Sequence, residues 1–422
     1  MTMVNETANA GRSRPVCRFC GTGLEHTFVD LGMSPLCESY VDRAHLNSME
    51  RFYPLHVWVC HECLLVQLEE YVAAEDIYSD YAYFSSYSDS WVEHARRYVE
   101  AVTGRFGLGS GSRVMEIASN DGYLLQHFVA RGIPCRGIEP AANIAKVAEE
   151  RGIPTTVRFF GCDAARDLAR EFGSADLLLG NNVLAHVPDI NDFVGGMKVL
   201  LGPAGVITME FPHLERLMAQ NQFDTIYHEH FSYLSLGAVE RIFAHHGLRL
   251  FDVEDLSTHG GSLRIYACHA EDAAKPDTGE VRRIRAGERA FGLDALDGYG
   301  GFECRVRETK NKLLRFLIEA REAGKTVVGY GAPGKGNTLL NYCGIRSDYL
   351  DYTVDRSPHK QGRYLPGTHI PILPPERIRE TRPDYVLILP WNLEKEITQS
   401  MAYIREWGGR FVVPIPEVKV LP

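Results

Sequence analysis

Ten consecutive residues near the middle of the chain, Asp224-Thr225-Ile226-Tyr227-His228-Glu229-His230-Phe231-Ser232-Tyr233, bring together two imidazoles, two phenols and the carboxylate of Glu229. An imidazole titrates near neutrality, so His230 beside Glu229 pairs a candidate base with a group able to orient it. That is what proton removal next to a carbonyl requires. The competing reading is a polar helix start carrying ordinary surface side chains.

Four of the cysteines are spaced for a metal: Cys17-x2-Cys20 and Cys60-x2-Cys63. A Cys-x2-Cys turn directs two thiolates at one ion, and two such turns make a closed tetrahedral zinc site. A closed shell leaves no position for substrate, so the expected zinc is structural. Reduced thiols or a disulfide are the alternatives. His56 and His61 lie nearby but are surplus to four sulfurs, and the remaining cysteines (Cys37, Cys135, Cys162, Cys268, Cys304, Cys343) read as small core residues.

Three further motifs fall where α/β folds bind nucleotides, at the carboxyl ends of strands. Glu116-Ile117-Ala118-Ser119-Asn120-Asp121-Gly122 follows one apolar run, and Glu139-Pro140 ends the next. An acidic side chain there can accept both ribose hydroxyls, and the lack of a pyrophosphate-binding Gly-x-Gly-x-x-Gly favours a cofactor without phosphates, S-adenosylmethionine. Asn181-Asn182-Val183-Leu184-Ala185-His186 follows the third strand, where His186 either faces the pocket or is structural. In the C-terminal part, Gly329-Tyr330-Gly331-Ala332-Pro333-Gly334 with Asp355 matches a dinucleotide fingerprint. Lys335 just beyond suits a diphosphate at a helix N-terminus equally well, and a tight packing turn is the third reading. Polar and basic residues at Thr258–Arg264 and Asp355–Tyr364, including His259, Arg264, Lys360 and Arg363, suggest an anionic ligand in an otherwise acidic protein.

The elements that must position these groups read as three units, 15–75, 76–270 and 271–422. Short strands such as Tyr53–Val59 lie between the cysteine pairs, and a helix spans Asp89–Phe106. Alternation then follows: strands Arg113–Ala118, Cys135–Glu139, Asp176–Gly180 and Gly205–Phe211, with helices Tyr123–Arg131, Ala141–Arg151 and Ile190–Leu201 between them. This predicts a parallel sheet covered by helices, closed by antiparallel strands Leu248–Glu254 and Ser262–Cys268. Residues 271–300 read as a connection. A helix Phe302–Ala323 leads to a second α/β unit with strands Thr326–Tyr330, Tyr349–Asp355, Asp384–Leu389 and Phe411–Pro414, and helix Gly336–Cys343.

At 422 residues, 45% hydrophobic and with a net charge of -10, the chain suits a multidomain globular protein and excludes nucleic-acid binding as its main business. No apolar run nears the roughly 20 residues that span a bilayer. The polar start Met1–Arg14 lacks an apolar signal core, so a cytoplasmic protein is expected.

The order of the motifs resembles the deoxysugar C-methyltransferases of antibiotic biosynthesis, such as the C3-methylating enzymes acting on dTDP-4-keto-deoxysugars. The motifs are the two cysteine pairs, Tyr81-Ala82-Tyr83-Phe84-Ser85-Ser86-Tyr87-Ser88, Glu116–Gly122, Asn181–His186, Tyr227–Phe231 and Gly329–Asn337. The likeness runs from Cys17 to the C-terminal unit. It implies a small N-terminal zinc-binding domain, a central seven-stranded Rossmann-like S-adenosylmethionine domain, and a second Rossmann-like α/β domain that helps hold the nucleotide sugar. It places catalytic weight on Tyr81, His186, Tyr227, Glu229 and His230. Cofactor contacts fall to Glu116, Ala118, Asn120, Gly122, Glu139, Pro140 and Asn181. Substrate contacts fall to Ser85, Ser86, His259, Arg264, Lys335, Asn337, Asp355, Lys360 and Arg363. His230 is expected to remove the C3 proton with Glu229 orienting it, and Tyr81 or His186 to stabilise the enolate oxygen. The expected partner is a dTDP-linked 4-keto sugar, with no nucleic acid or membrane, acting on a monomer or weak homo-oligomer. The alternatives are an NAD-dependent nucleotide-sugar oxidoreductase using Gly329–Gly334 and Asp355, a sugar O- or N-methyltransferase, and a zinc-ribbon nucleotide-binding scaffold.

Overall fold

The computed structural model describes residues 15–74, 77 and 84–421. Behind the first cysteine turn, β1 (His26–Ser34), β2 (Tyr53–Val59) and β3 (Val66–Leu68) form an antiparallel sheet. In β2, Leu55, Val57 and Val59 are buried while the residues between them are partly exposed, the period of a strand with one covered face.

The central sheet uses β4 (Val114–Ile117), β5 (Cys135–Ile138), β6 (Thr155–Thr156), β7 (Ala175–Asn181) and β8 (Leu201–Pro212). The chain then leaves it for β9 (Ser232–Tyr233) and returns as β10 (Leu248–Leu256) and β11 (Ser262–His269). The strand order is β10-β11-β8-β7-β4-β5-β6, with β11 antiparallel to both of its neighbours. All four residues of β4 are buried, as both faces of a parallel sheet demand. The helix Asp89–Phe106 starts at Ser88, whose side chain accepts from the Trp91 N–H, and stops at Gly107 with φ 62.

The third sheet contains β12 (Val327–Tyr330), β13 (Thr353–Val354), β14 (Ile372–Leu373), β15 (Tyr385–Ile388), β16 (Arg410–Val413) and β17 (Lys419–Leu421). Its order is β14-β13-β12-β15-β16-β17, parallel except at β17. The mixed α/β architecture expected from the alternation is present, with a seven-stranded central sheet and a second, mostly parallel sheet.

Four local readings change. The helix expected over Tyr123–Arg131 shrinks to Gln126–Val129, since the preceding turns serve the loop after β4. Only Thr353–Val354 of the strand expected over Tyr349–Asp355 joins a ladder. The helix Cys162–Phe172 lies in a stretch left unassigned. Residues 271–300 carry the helix Glu280–Phe291, fastened by Glu288, which bonds His213 Nε2 at 2.7 Å and the Gly237 N–H at 2.9 Å.

Two features bind the units together. The strand β9 pairs with β3, not with the central sheet, so the N-terminal sheet has order β1-β2-β3-β9. The apolar face of that sheet also shares one core with the C-terminal unit, where Phe28 stacks on Phe302 at 4.6 Å between ring centroids.

Candidate active site

The four cysteine sulfurs lie within 4.8 Å of one another, with Cys17–Cys63 and Cys20–Cys60 each at 3.5 Å. Four thiolates at the Zn–S distance of ~2.3 Å define a tetrahedron with edges of about 3.8 Å, so the donor set fits zinc. The Gln67 amide donates to Cys17 Sγ at 3.1 Å, and Arg241 bonds the Cys63 carbonyl at 2.8 Å. These outer partners hold the ligands in place.

Beyond β4 the chain turns through Ala118, Asn120 and Gly122 with φ of 55, 50 and 78. Residues with a Cβ enter that region only at a cost, so the turn is held by its surroundings. Glu139, at the end of β5, accepts from the Asn120 N–H at 2.9 Å and the Ala141 N–H at 3.0 Å, one on each oxygen. Each oxygen keeps a further lone pair. Glu116 is fully buried with no hydrogen-bond partner on Oε2, and burial pushes its carboxyl well above the usual range. Asn181 Nδ2 is also buried and unsatisfied. Pro140 lines the same edge, partly buried. Unsatisfied polar atoms around a strained turn at a sheet's carboxyl edge, with acids and amides lining it, fit S-adenosylmethionine. Ser85 and Ser86, expected on the substrate, belong to this turn instead. The Ser85 N–H donates to Asn120 Oδ1 at 2.9 Å and Ser86 Oγ accepts from Arg151 at 3.1 Å.

The excursion between β8 and β10 carries the candidate base. His230 Nδ1 lies 2.7 Å from the Thr225 carbonyl. A carbonyl only accepts, so Nδ1 carries the proton and Nε2 keeps its lone pair. Tyr227 lies tilted over the ring at 4.0 Å, and His186 meets it edge-on at 4.7 Å. Burial, reinforced by His186, His259 and Lys335, holds His230 well below the ordinary histidine range. Burial also pushes His186 and His259 down to about 4. All three rings are neutral at neutral pH, yet each stays partly exposed.

The partner of His230 Nδ1 is the Thr225 carbonyl, where the sequence suggested the Glu229 carboxylate. The Glu229 carboxylate accepts from the buried Cys37 thiol at 3.5 Å, and its backbone is a partner of the His186 ring. Tyr81 lies outside the described residues. His259 has φ 52 and meets the Asn182 amide at 3.1 Å; Asn182 itself has φ 54.

The C-terminal unit closes the other side. Lys335 Nζ donates to Asn392 Oδ1 at 2.9 Å, lies 4.8 Å from the Trp391 ring, and is held low by burial with Asp224 opposing. Asn337 is buried and donates to the Cys37 carbonyl, and Lys360 donates to the Ala332 carbonyl at 2.9 Å beside Glu38. Arg363 pairs with Asp42 at 3.4 Å. These three fasten the C-terminal unit to the loop 37–42, where sequence reasoning put them on substrate. Arg264 is likewise committed: its terminal nitrogens pair with Glu210 at 2.5 Å and Glu254 at 2.9 Å across the central sheet. The apparent dinucleotide fingerprint is a packing turn. A Cβ at Gly331 would stand 2.5 Å from Pro390 Cδ, and one at Gly334 would stand 2.9 Å from Cys37 Sγ, where a pyrophosphate would need space. Both Asp355 oxygens accept backbone N–H groups, from Ala332 at 2.7 Å and Ser357 at 2.8 Å, so Asp355 organises its own loop.

Sequence reasoning missed Cys37, Thr225, Asp224 and Trp391. Trp391 had a findable signal, since it follows β15 at the same carboxyl edge as Gly331. Cys37 had none, being indistinguishable from a core cysteine until the fold sets it against Glu229.

Three family models match in succession: "Putative zinc binding domain" over residues 17–78, "Methyltransferase domain" over 91–253, and "C-methyltransferase C-terminal domain" over 257–416. The C-methyltransferase NovU of Streptomyces niveus is 38% identical over 415 residues, covering 97% of each chain. A ubiquinone biosynthesis O-methyltransferase of Xanthomonas oryzae pv. oryzae is 29% identical over 109 residues, 25% of this chain and 45% of its own. Among solved structures, the PH0226 protein of Pyrococcus horikoshii OT3 aligns with 44% of this chain and 94% of its own at 14% identity and a TM-score of 0.37. With its four-cysteine cluster, its cofactor edge and a relative 38% identical over 97% of its length, the chain belongs to the C-methyltransferase family, as an S-adenosylmethionine-dependent enzyme with a zinc-binding domain.

Proposed function

We propose that this enzyme methylates C3 of a dTDP-linked 4-keto-deoxysugar through an enolate, with His230 as the base. The observation that carries the reading is the 2.7 Å bond from His230 Nδ1 to the Thr225 carbonyl, which leaves Nε2 unprotonated. A neutral imidazole acceptor can serve a hydroxyl or a carbon acid, and the match to C-methyltransferases is what directs it to carbon. The C4 carbonyl acidifies the C3–H bond, and a base kept neutral at pH 7 is ready to take that proton.

S-adenosylmethionine, when bound, supplies an electrophilic methyl group. The protein's task is to remove the proton, hold the enolate and set carbon in line with that methyl. His230 takes the C3 proton on Nε2, and the Tyr227 ring 4.0 Å away favours the resulting imidazolium. His186 meets the His230 ring edge-on at 4.7 Å and bonds the Glu229 backbone, so it stands beside the base. The donor to the developing oxyanion is assigned to Tyr81, on the family resemblance, or to His186, with the Lys335 ammonium adding its field. The nucleotide diphosphate is assigned to the rim near Lys335 and His259.

The test is isotope exchange together with turnover. His230→Ala is expected to abolish methylation and the C3 proton–deuteron exchange of a 4-keto sugar, a loss on the order of 10²–10⁴-fold or more. S-adenosylmethionine affinity should stay within about twofold, since His230 lies outside the cofactor edge. Retained exchange would remove His230 as the base. Methylation of 4-hydroxy sugars by the wild type would move the reaction to oxygen.

A further inference from the structure

We propose that Trp391 positions the base from across the cleft, fixing through Asp224 the turn whose Thr225 carbonyl sets the His230 tautomer. The inference rests on reading His230 as the base. Trp391 stands just past β15 in the C-terminal unit and is 8% exposed. Its indole N–H donates to Asp224 Oδ2 at 2.7 Å. Asp224 is fully buried, and its other oxygen has no hydrogen-bond partner. Among the described residues the indole is thus the side-chain donor that satisfies this carboxylate.

Asp224 lies in the one-turn 3-10 segment Phe223–Thr225. The same turn is tied by Thr225 Oγ1 to the Gln222 carbonyl at 2.7 Å and by Thr338 Oγ1 to the Ile226 carbonyl at 2.8 Å. Gln222 in turn donates to the Gly260 carbonyl at 2.8 Å, next to His259. Two of the ties, from Trp391 and Thr338, come from the C-terminal unit, and the carbonyl that holds His230 sits between them. Removing the indole N–H takes away the one side-chain donor to this buried carboxyl among the described residues and leaves it to the turn's own Asp224 and Thr225 N–H groups, which pulls the turn out of place. The Thr225 carbonyl moves with it, and the imidazole loses the acceptor that keeps its proton on Nδ1.

Trp391→Phe is the main test, because a ring remains against Lys335 and Gly260 while the donor goes. Histidine labelled with ¹⁵N reports the tautomer directly. In the variant, His230 should change from the Nδ1–H form to a mixture, and kcat should fall on the order of ten- to hundredfold, the usual cost of a displacement near 1 Å. The KM for S-adenosylmethionine should not change. Asp224→Asn keeps an oxygen to receive the indole and should retain the tautomer, whereas Asp224→Ala should reproduce the Trp391→Phe effect. A wild-type tautomer and kcat in Trp391→Phe would overturn the proposal, as would an Asp224→Asn protein behaving like Asp224→Ala. A His230→Ala enzyme that still turns over would remove the base assignment alone, because the tautomer change in Trp391→Phe is read without catalysis.

Discussion

Gly122→Ala isolates how the cofactor edge is built. The new Cβ would stand 2.2 Å from Ile153 Cδ1, with Ala148 Cβ and Ile153 Cγ1 at 3.4 Å, on a residue whose φ is 78. Two separable costs follow. The left-handed backbone penalises a Cβ by roughly 1–2 kcal/mol. Carbons in contact prefer about 3.5–4.0 Å, so over 1 Å of overlap with Cδ1 must be relieved, and overpacking of that kind costs about 1–3 kcal/mol. The sum is about 2–5 kcal/mol, which should appear as faster amide exchange in the packed helix Ala142–Glu150. The distortion moves the Asn120 N–H off Glu139, so S-adenosylmethionine affinity should fall on the order of tenfold for each 1.4 kcal/mol that reaches the site. Ile153→Val deletes the clashing atom and alone costs about 0.5–1.5 kcal/mol. In the double variant only the backbone term should remain, so the two changes should couple favourably by about 1–3 kcal/mol. Calorimetric cofactor titration and hydrogen exchange on the four proteins close the cycle. A double variant as weak as the sum of its parts would refute the assignment of the cost to Ile153.

A histidine NMR titration should place the His186 and His259 midpoints near 4 and His230 below 6.5, since burial disfavours each cation. The acid limb of kcat should accordingly lie below pH 6.5. For these rings the unfolded chain takes the proton first, so their contribution to stability is lost as pH falls from 6.5 through the folded values. Asp224, raised to about 7 by burial, acts in the opposite sense and favours the fold on acidification. Cys60→Ser should lower bound zinc below one per chain and disorder the N-terminal sheet, with methyl transfer lost as a consequence of structure. Metal content and exchange protection of β2 and β3 check this; a zinc-free protein with normal protection would refute it.

The parallel units were legible because their strands and helices repeat a simple hydrophobic period, and the cysteine turns because metal spacing is local. The packing of Tyr227 on His230 was legible in the sense that the two lie within one short motif. The orientation of the imidazole was not, since the Nδ1 partner is a main-chain carbonyl that any residue at 225 supplies. Arg264, Lys360 and Arg363 look alike in sequence as free cations, and only the fold reveals the carboxylates and carbonyl that take them up. The excursion to β9 was illegible for a related reason: two residues, Ser232 and Tyr233, are too few to carry a strand period, and their partner lies in a different unit.

The pairing of β9 with β3 has a consequence for how such enzymes can be recombined. Gln67 faces Ser232 and Val66 faces Tyr233, so the zinc knuckle and the segment that follows His230 are read in one ladder frame. Along a strand each residue advances about 3.3 Å and reverses the face it presents. A hybrid that grafts the first 75 residues of one relative onto the remainder of another inherits this frame as a constraint, even though it leaves every catalytic residue untouched. If one residue is gained or lost between Cys63 and Gln67, the graft either expels β9 from the sheet or drags His230 out of its cleft. Exchangeable fragments of this protein are therefore bounded by the ladder, and the natural cut points leave residues 60–68 and 225–233 with the same parent.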